Sequence, residues 1–308
     1  MHACYSHTVT YLQLLLPDFA LILCGFLLCR YTQLNEQIWK AVESLVYFFL
    51  FPLLLFHNIL KNPLDLGATS SLVGAAICLG AVGIALAYAL PHMPGLRGLN
   101  PRQHAASAQI AFRFNGLMGL ALVERLSGTP GVQLMSVIIG FCVPLFNVAA
   151  VWPMARANDR HLGHALLTNP LILATVGGLL ANVAGVTLPN WSSATLQRIG
   201  GAAIPLGLMA AGAGLRLGAM RHDKLLSLYL LGCKHLVLPL TAWALAQLLA
   251  LTPLQTTVLL AFSALPTSSS AYVLASRMGF DGAYVAGLIT LSTLLGAASV
   301  TLALGVLR

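Results

Sequence analysis

Of the 308 residues, 58% are hydrophobic and 8% are charged, where an average soluble protein carries about 25% charged residues. A soluble domain of this size needs a charged surface that this chain does not have, and no stretch is polar enough to be a soluble domain carried on a few membrane anchors. The net charge of +8 falls in short loops and flanks, as in membrane proteins, and is no signal for nucleic acid.

The first ten residues, MHACYSHTVT, have no basic region and no cleavage site, so no removable signal peptide is expected. A span needs about 20 apolar residues. Ten segments qualify in chain order: 10–29, 38–60, 67–90, 104–125, 131–154, 166–187, 194–215, 225–250, 254–276 and 283–306. The linkers are short and hold the turn formers and charges: KNPLD at 61–65, HMPGLRGLNPR at 92–102, RANDRHLGH at 156–164 and MRHDK at 220–224. Any function must therefore reside among the helices. The six cysteines show no metal-ligand spacing and read as small core residues.

Lys and Arg set the orientation. With the N-terminus outside, ten of them lie in inside loops and flanks, four lie outside, and Arg113 and Lys234 fall within spans. Both termini are then outside, on the non-cytoplasmic side of the cell (inner) membrane. Ten spans divide into five and five, and an odd number per half forces the halves into opposite orientation.

Internal similarity supports that division. Pro17 and Pro52 are repeated by Pro170 and Pro205 at a shift of 153, with Gly25 and Gly178 each eight residues after the first proline of its pair. LVERL at 122–126 aligns with LASRM at 274–278, and Gly131 with Gly282. The expected fold is an all-α polytopic membrane protein of ten helices in two inverted five-helix repeats. The first repeat is 1–155, a short cytoplasmic linker is 156–165, and the second repeat is 166–308.

The fourth and ninth spans correspond, and both are interrupted. The fourth has Arg113, Phe114, Asn115 and Gly116 at its centre; the ninth has Pro266, Thr267, Ser268, Ser269 and Ser270. Proline removes a helix N–H and clashes with the carbonyl four residues earlier. Freed backbone groups are tolerated at membrane depth only where protein or a water-filled cavity surrounds them. Asn115 and Thr267 or Ser268 are good N-caps for the half-helices that follow. Two half-helix N-termini meeting at the midplane would suit an anion, and Arg113 suits a carboxylate. The competing reading of Arg113 is structural, an arginine that satisfies broken-helix carbonyls or pairs with an acid. Asn147, beside Pro144 in the fifth span, reads as a site-lining amide or a helix–helix bond.

Asp18, Glu43 and Lys234 are ionisable groups within spans, each open to proton coupling or to a salt bridge. His57 and His235 read as packed. Gly207, Gly212 and Gly214 read as close-packing positions. No HExxH, GxSxG or paired intramembrane aspartates point to an enzyme, and no cofactor is expected beyond a coupling H+ or Na+.

RFNGLMGLAL at 113–122, PLFNVAAVW at 144–152, NPLIL at 169–173, PLGLMAAGAGL at 205–215 and PTSSSAYVLASRMG at 266–279 resemble the auxin efflux carrier family, in order and along essentially the whole chain. The resemblance implies that helices 4 and 9 cross as broken helices at the substrate site. It implies a scaffold and dimer surface from helices 1, 2, 6 and 7, and a moving transport domain from helices 3–5 and 8–10. Family members move organic anions, including auxin in plants and malate or malonate in bacteria. The loop of about ten residues between the halves looks like the bacterial type, and Arg113–Gly116 stands where plant carriers have a crossover proline. The reading is a secondary, elevator-like organic-anion transporter, a homodimer in the lipid bilayer with no nucleic-acid partner. The alternative is a sodium- or proton-coupled bile-acid-like symporter or antiporter; a membrane enzyme or sensor is the remaining class.

Overall fold

Prolines and caps decide where the helices of this chain start, widen and stop. A computed structural model describes residues 16–17, 20–61, 66–93, 98–157, 170–214 and 224–307. Among these, every regular element is helical: α1 (Ala20–Tyr31), α2 (Glu36–Lys61), α3 (Leu66–Ala89), α4 (Pro101–Ser107), α5 (Gly116–Ala157), α6 (Pro170–Val183), α7 (Asn190–Gly201), α8 (Ala203–Ala213), α9 (Lys224–Leu248), α10 (Pro253–Ala264), α11 (Ser270–Arg277) and α12 (Gly282–Gly305). Among the described residues, five stretches are long and apolar enough to cross a membrane: Glu36–Lys61, Ser70–His92, Leu122–Ala157, Lys224–Leu248 and Gly282–Gly305. The chain is thus a helical, multi-pass membrane protein. The fourth, seventh and ninth apolar segments are interrupted, because their helices break at 112–115, at Ala202 and at 265–269, while the first and sixth lie partly outside the described residues. Asp18, most of the linker at 156–165 and Cys4 lie outside the described residues.

Asn35 starts α2 by accepting from the Gln37 and Ile38 amides, and Asn100 starts α4 in the same way with Pro101 at the first helical position. Thr252 and Gln255 form a reciprocal capping box on α10. Two helices widen for one turn into π geometry, α2 at Val46–Leu50 and α9 at Cys233–Val237. Each π turn is followed by a proline, Pro52 and Pro239. Proline cannot donate to the carbonyl four residues back and its ring collides with that carbonyl, so the helix inserts a residue. The amides of Phe51 and Leu238 reach five residues back, to Val46 and Cys233. In α9 the carbonyl of His235, which Pro239 leaves without its helical donor, accepts from Ser299 Oγ on α12 at 3.2 Å.

Two hydrophobic clusters organise the packing. The larger draws its buried side chains mainly from α3, α4, α5 and α9 to α12, and the smaller joins Val46, Leu50 and Leu54 of α2 to Ala203 of α8. Outward faces stay apolar: Leu23, Leu180, Val183, Leu228, Leu240, Leu248 and Leu294 are all more than half exposed. That pattern suits lipid rather than water.

α1 and α8 approach until backbone meets backbone. A Cβ on Gly25 would lie 1.9 Å from the Met209 carbonyl oxygen, and one on Gly212 would lie 1.9 Å from that of Ile22. On α6, Gly178 faces the Phe56 backbone and the Ile59 side chain of α2. Gly214 sits under the Tyr272 ring, whereas a Cβ on Gly207 would meet only Val46, at 3.6 Å. Close packing therefore holds for Gly212 and Gly214 but not for Gly207, which faces a looser seam.

We expect Gly212→Ala to destabilise the detergent-solubilised protein by about 3 kcal/mol, at the upper end of overpacking costs. Gly207→Ala should change stability by less than about 0.5 kcal/mol. Thermal unfolding followed by size-exclusion chromatography separates the two.

Candidate functional site at the paired helix breaks

The two interruptions meet. α10 ends at Ala264 because Leu265 precedes Pro266 and takes an extended conformation, φ −57° and ψ 139°. In the other half α4 tightens into a 3-10 turn, Ala108–Ala111, and the chain leaves helix at residues 113–115. No proline causes this break. It is held by what its residues bind.

The Asn115 amide donates to the Pro266 carbonyl at 2.9 Å, joining one break to the other through backbone alone. Thr267 Oγ1 donates to the Ile110 carbonyl at 2.9 Å. Gln109 Nε2 donates to the carbonyls of Ala106 and Ala271, at 2.9 and 3.1 Å. Carbonyls and amides released by the breaks thus find partners across the crossing, as a low-dielectric surrounding demands.

Arg113 is 5% exposed and carries the charge of the site. Nη1 donates to Gln109 Oε1 at 3.1 Å; Nη2 donates to Asn147 Oδ1 at 2.9 Å and to Ser270 Oγ at 2.8 Å. All three acceptors are uncharged. Arg113 faces a cleft with about 740 Å³ of empty volume, counting its open mouth, between α2, α5 and the second break. Phe114, Asn115, Gly116, Asn147, Ser268, Ser269 and Ser270 line it with Arg113, and no acidic side chain does. Phe114 and Phe146 form its aromatic wall, edge-to-face at 5.8 Å, and both pack on Phe262. Two helix N-termini open nearby. Asn115 Oδ1 accepts from the Met118 amide at the start of α5, and Ser268 Oγ accepts from the Ser270 amide at the start of α11. A guanidinium, two helix N-termini and hydroxyl groups in one half-open cleft make a setting for an anion.

The structure thus brings together Arg113, Phe114, Asn115, Gly116, Asn147, Ser268 and Ser269. Pro266 contributes its carbonyl to the crossing. Thr267 is buried behind the cleft, so of the two cap candidates in the second break Ser268 serves and Thr267 does not. Glu43 lies apart, in a polar vestibule with Lys40, Ser276, Arg277 and Asp281, where Tyr272 donates to it at 3.2 Å. Lys234 is 1% exposed in the π turn of α9 and does not line the cleft. Among the described residues no group of three His, Cys, Asp or Glu side chains is placed to hold a metal.

Gln109, Ser270 and Phe146 were not singled out from sequence as site residues. Gln109 precedes Arg113 by four, the spacing that makes neighbours on a helix. Ser292, which holds Thr267 from α12, had no sequence signal, since 25 residues separate the two.

Thr267→Val removes the hydroxyl that ties the breaks together and leaves the Ile110 carbonyl without this donor. We expect a loss of about 1–3 kcal/mol, read as a lower melting temperature, with Thr267→Ser close to wild type.

Comparison with known proteins agrees with this architecture. Residues 10–149 and 153–304 match the family described as membrane transport protein. An "Uncharacterized transporter" of Methanothermobacter thermautotrophicus is 25% identical over 296 residues, covering 94% of this chain and 96% of the relative. A Rhizobium meliloti protein described as "Putative malonate transporter" is 24% identical over 307 residues, covering 94% and 93%. The chain belongs to the membrane transport protein family, that of the auxin efflux carriers, and is a membrane transporter rather than an enzyme.

Proposed function

We propose that this protein is a secondary transporter of small organic anions, carboxylates of the malate, malonate or auxin-like kind, working by alternating access. The observation that carries the reading is Arg113: a buried guanidinium held by three uncharged oxygens beside a cleft with no carboxylate. A buried charge is costly without a counter-charge, and a carboxylate ligand supplies one in a two-pronged geometry. Asn115 and the N-termini of α5 and α11 complete the anion's surroundings, while Phe114 and Phe146 meet its carbon skeleton.

Ten spans in two inverted repeats are supported by a pair of contacts. Gly25 packs on Met209, and Gly178 packs on Phe56; adding 153 to Gly25 gives Gly178, and adding 153 to Phe56 gives Met209. One contact is thus made twice, each time between the first span of one half and the second span of the other. Arg113 and Pro266 stand at the same offset, so the two breaks are equivalent positions as well. Among the described residues the larger hydrophobic cluster takes its side chains from α3 to α5 and α9 to α12, with Tyr47 and Leu55 of α2, and none from α1, α6 or α7; this favours an elevator in which α3 to α5 and α9 to α12 move against a scaffold of α1, α2 and α6 to α8. In this reading the carrier is a homodimer in the cell membrane, with both termini on the non-cytoplasmic side.

Uptake of radiolabelled mono- and dicarboxylates into proteoliposomes tests the proposal. Arg113→Ala should lower uptake roughly 10- to 150-fold, the equivalent of about 1.5–3 kcal/mol for a hydrogen bond to a charged group. Arg113→Lys should also be impaired, because a single ammonium cannot reproduce the planar fork. Unimpaired transport of all substrates by Arg113→Ala would sink the reading and leave Arg113 as a purely structural residue.

A further inference from the structure

Behind the crossing, on the side away from the cleft, two bases stand next to each other in the π turn of α9. Lys234 is 1% exposed and His235 is 5% exposed. The turn packs against α3, the 3-10 turn Ala108–Ala111, α10 and α12. No Asp or Glu occurs within α3, the 3-10 turn, α10 or α12. Their titratable side chains are Cys78 and Tyr88 on α3 and Tyr284 on α12, with Cys233 beside Lys234 on the turn itself; the nearest further charges along the chain are Asp65, one residue before α3 and outside the described residues, Asp281, which caps the start of α12, and Arg113, two residues after the 3-10 turn. Among the described residues, Lys234 therefore has no acidic partner within the helical elements that pack on its turn; Asp281, at the far end of α12, is bound to the Tyr284 amide.

Proton counting gives the tautomer of neutral His235. Thr267 Oγ1 must donate its one proton to the Ile110 carbonyl, 2.9 Å away. In the 3.1 Å contact between Thr267 Oγ1 and Ser292 Oγ the donor is then Ser292. Ser292 Oγ also accepts from the Thr267 amide at 3.0 Å. With its proton spent, Ser292 can only accept from His235 Nε2, at 2.8 Å. The one assignment that satisfies all four contacts puts a hydrogen on Nε2, and in the neutral imidazole Nδ1 is then a bare lone pair. Nδ1 is buried and has no hydrogen-bond partner among the described residues.

A buried amine without an acid and a buried imidazole nitrogen without a donor thus follow each other in the π turn, and the imidazole is linked by hydrogen bonds through Ser292 to the second helix break. Ionisable groups at membrane depth that lack a structural partner mark ion and proton pathways. Like charges on neighbouring groups in a core without counter-charge exclude each other, so the pair holds at most one extra proton, on Lys234 Nζ or His235 Nδ1.

We propose that Lys234 and His235 form the proton-binding site of the carrier, and that one proton taken up there travels with the carboxylate bound at the crossing. This rests on the carboxylate-transporter reading and adds the co-substrate. The proton adds a positive charge behind the crossing, which favours an anion in front of it. By reciprocity, the bound anion favours the proton. The coupling is therefore symport. The chain His235–Ser292–Thr267 ties the imidazole of the pair to the loop that carries Ser268 to Ser270, so both ligands act on one piece of backbone.

The test uses purified full-length protein in proteoliposomes with the membrane potential clamped by potassium and valinomycin, and radiolabelled malonate as probe. At fixed external pH, a more alkaline interior should raise steady-state accumulation by about tenfold per pH unit for one coupled proton. Lys234→Arg, which keeps the charge but does not release it, should lose the response of malonate accumulation to the pH gradient. His235→Asn should lose it as well; both variants are checked for wild-type elution and melting. An indicator dye in weakly buffered detergent solution should report proton uptake by the wild type on addition of malonate. Accumulation by the wild type that ignores the pH gradient, no proton uptake in the dye experiment, or a folded Lys234→Arg variant that follows the gradient as the wild type does would each overturn the inference. Absence of counterflow for every carboxylate would overturn the carrier reading, and this inference with it, whereas counterflow without a pH response overturns the inference alone.

Discussion

The architecture depends on one hydrogen bond between backbones, from the Asn115 amide to the Pro266 carbonyl. A helix interrupted in hydrocarbon exposes amides and carbonyls that water cannot reach. One break alone would leave them unsatisfied. Two breaks placed against each other exchange partners, and Thr267, Gln109 and Asn115 complete the exchange. The crossing is stable because it is paired, and a pair of equivalent breaks is what an inverted duplication would supply.

The same pairing creates the polar interior. Helix N-termini of α5 and α11 point toward the cleft, while Arg113 is held at the crossing by Gln109, Asn147 and Ser270. In the proposed function, binding chemistry and structural satisfaction share these residues. Arg113 orders the break it sits in and offers its charge to the cleft. This joint role explains why an arginine stands where a helix breaker would suffice for the backbone alone.

Proline acts at two levels. Pro266 ends a helix, through the restriction it places on Leu265. Pro52 and Pro239 sit inside helices and widen them for a turn. In α9 that widening frees the His235 carbonyl for Ser299 and places Lys234 and His235 in the core. A substitution tolerated in a soluble helix surface would here shift polar groups that have no water to fall back on.

Much of the fold was legible in the sequence because the bilayer imposes simple rules. Apolar length gave candidate spans, and the offset of 153 tied Pro17 to Pro170, Gly25 to Gly178 and Arg113 to Pro266. Both interruptions were visible as Arg113–Gly116 and Pro266–Ser270, since polar and helix-breaking residues stand out in apolar text. Asn115 was recognisable as a cap from residue type alone. What the sequence left open was decided by contacts between residues far apart in the chain. Arg113 turned out to bind Asn147 and Ser270 rather than an acid, Thr267 turned away from the cleft, and Gly207 proved loosely packed while Gly212 meets the Ile22 backbone. Ser292 and Gln109 gained their roles in the same way. Local composition determines where a helix can stop; only the tertiary structure decides which distant group takes up the hydrogen bond it gives away.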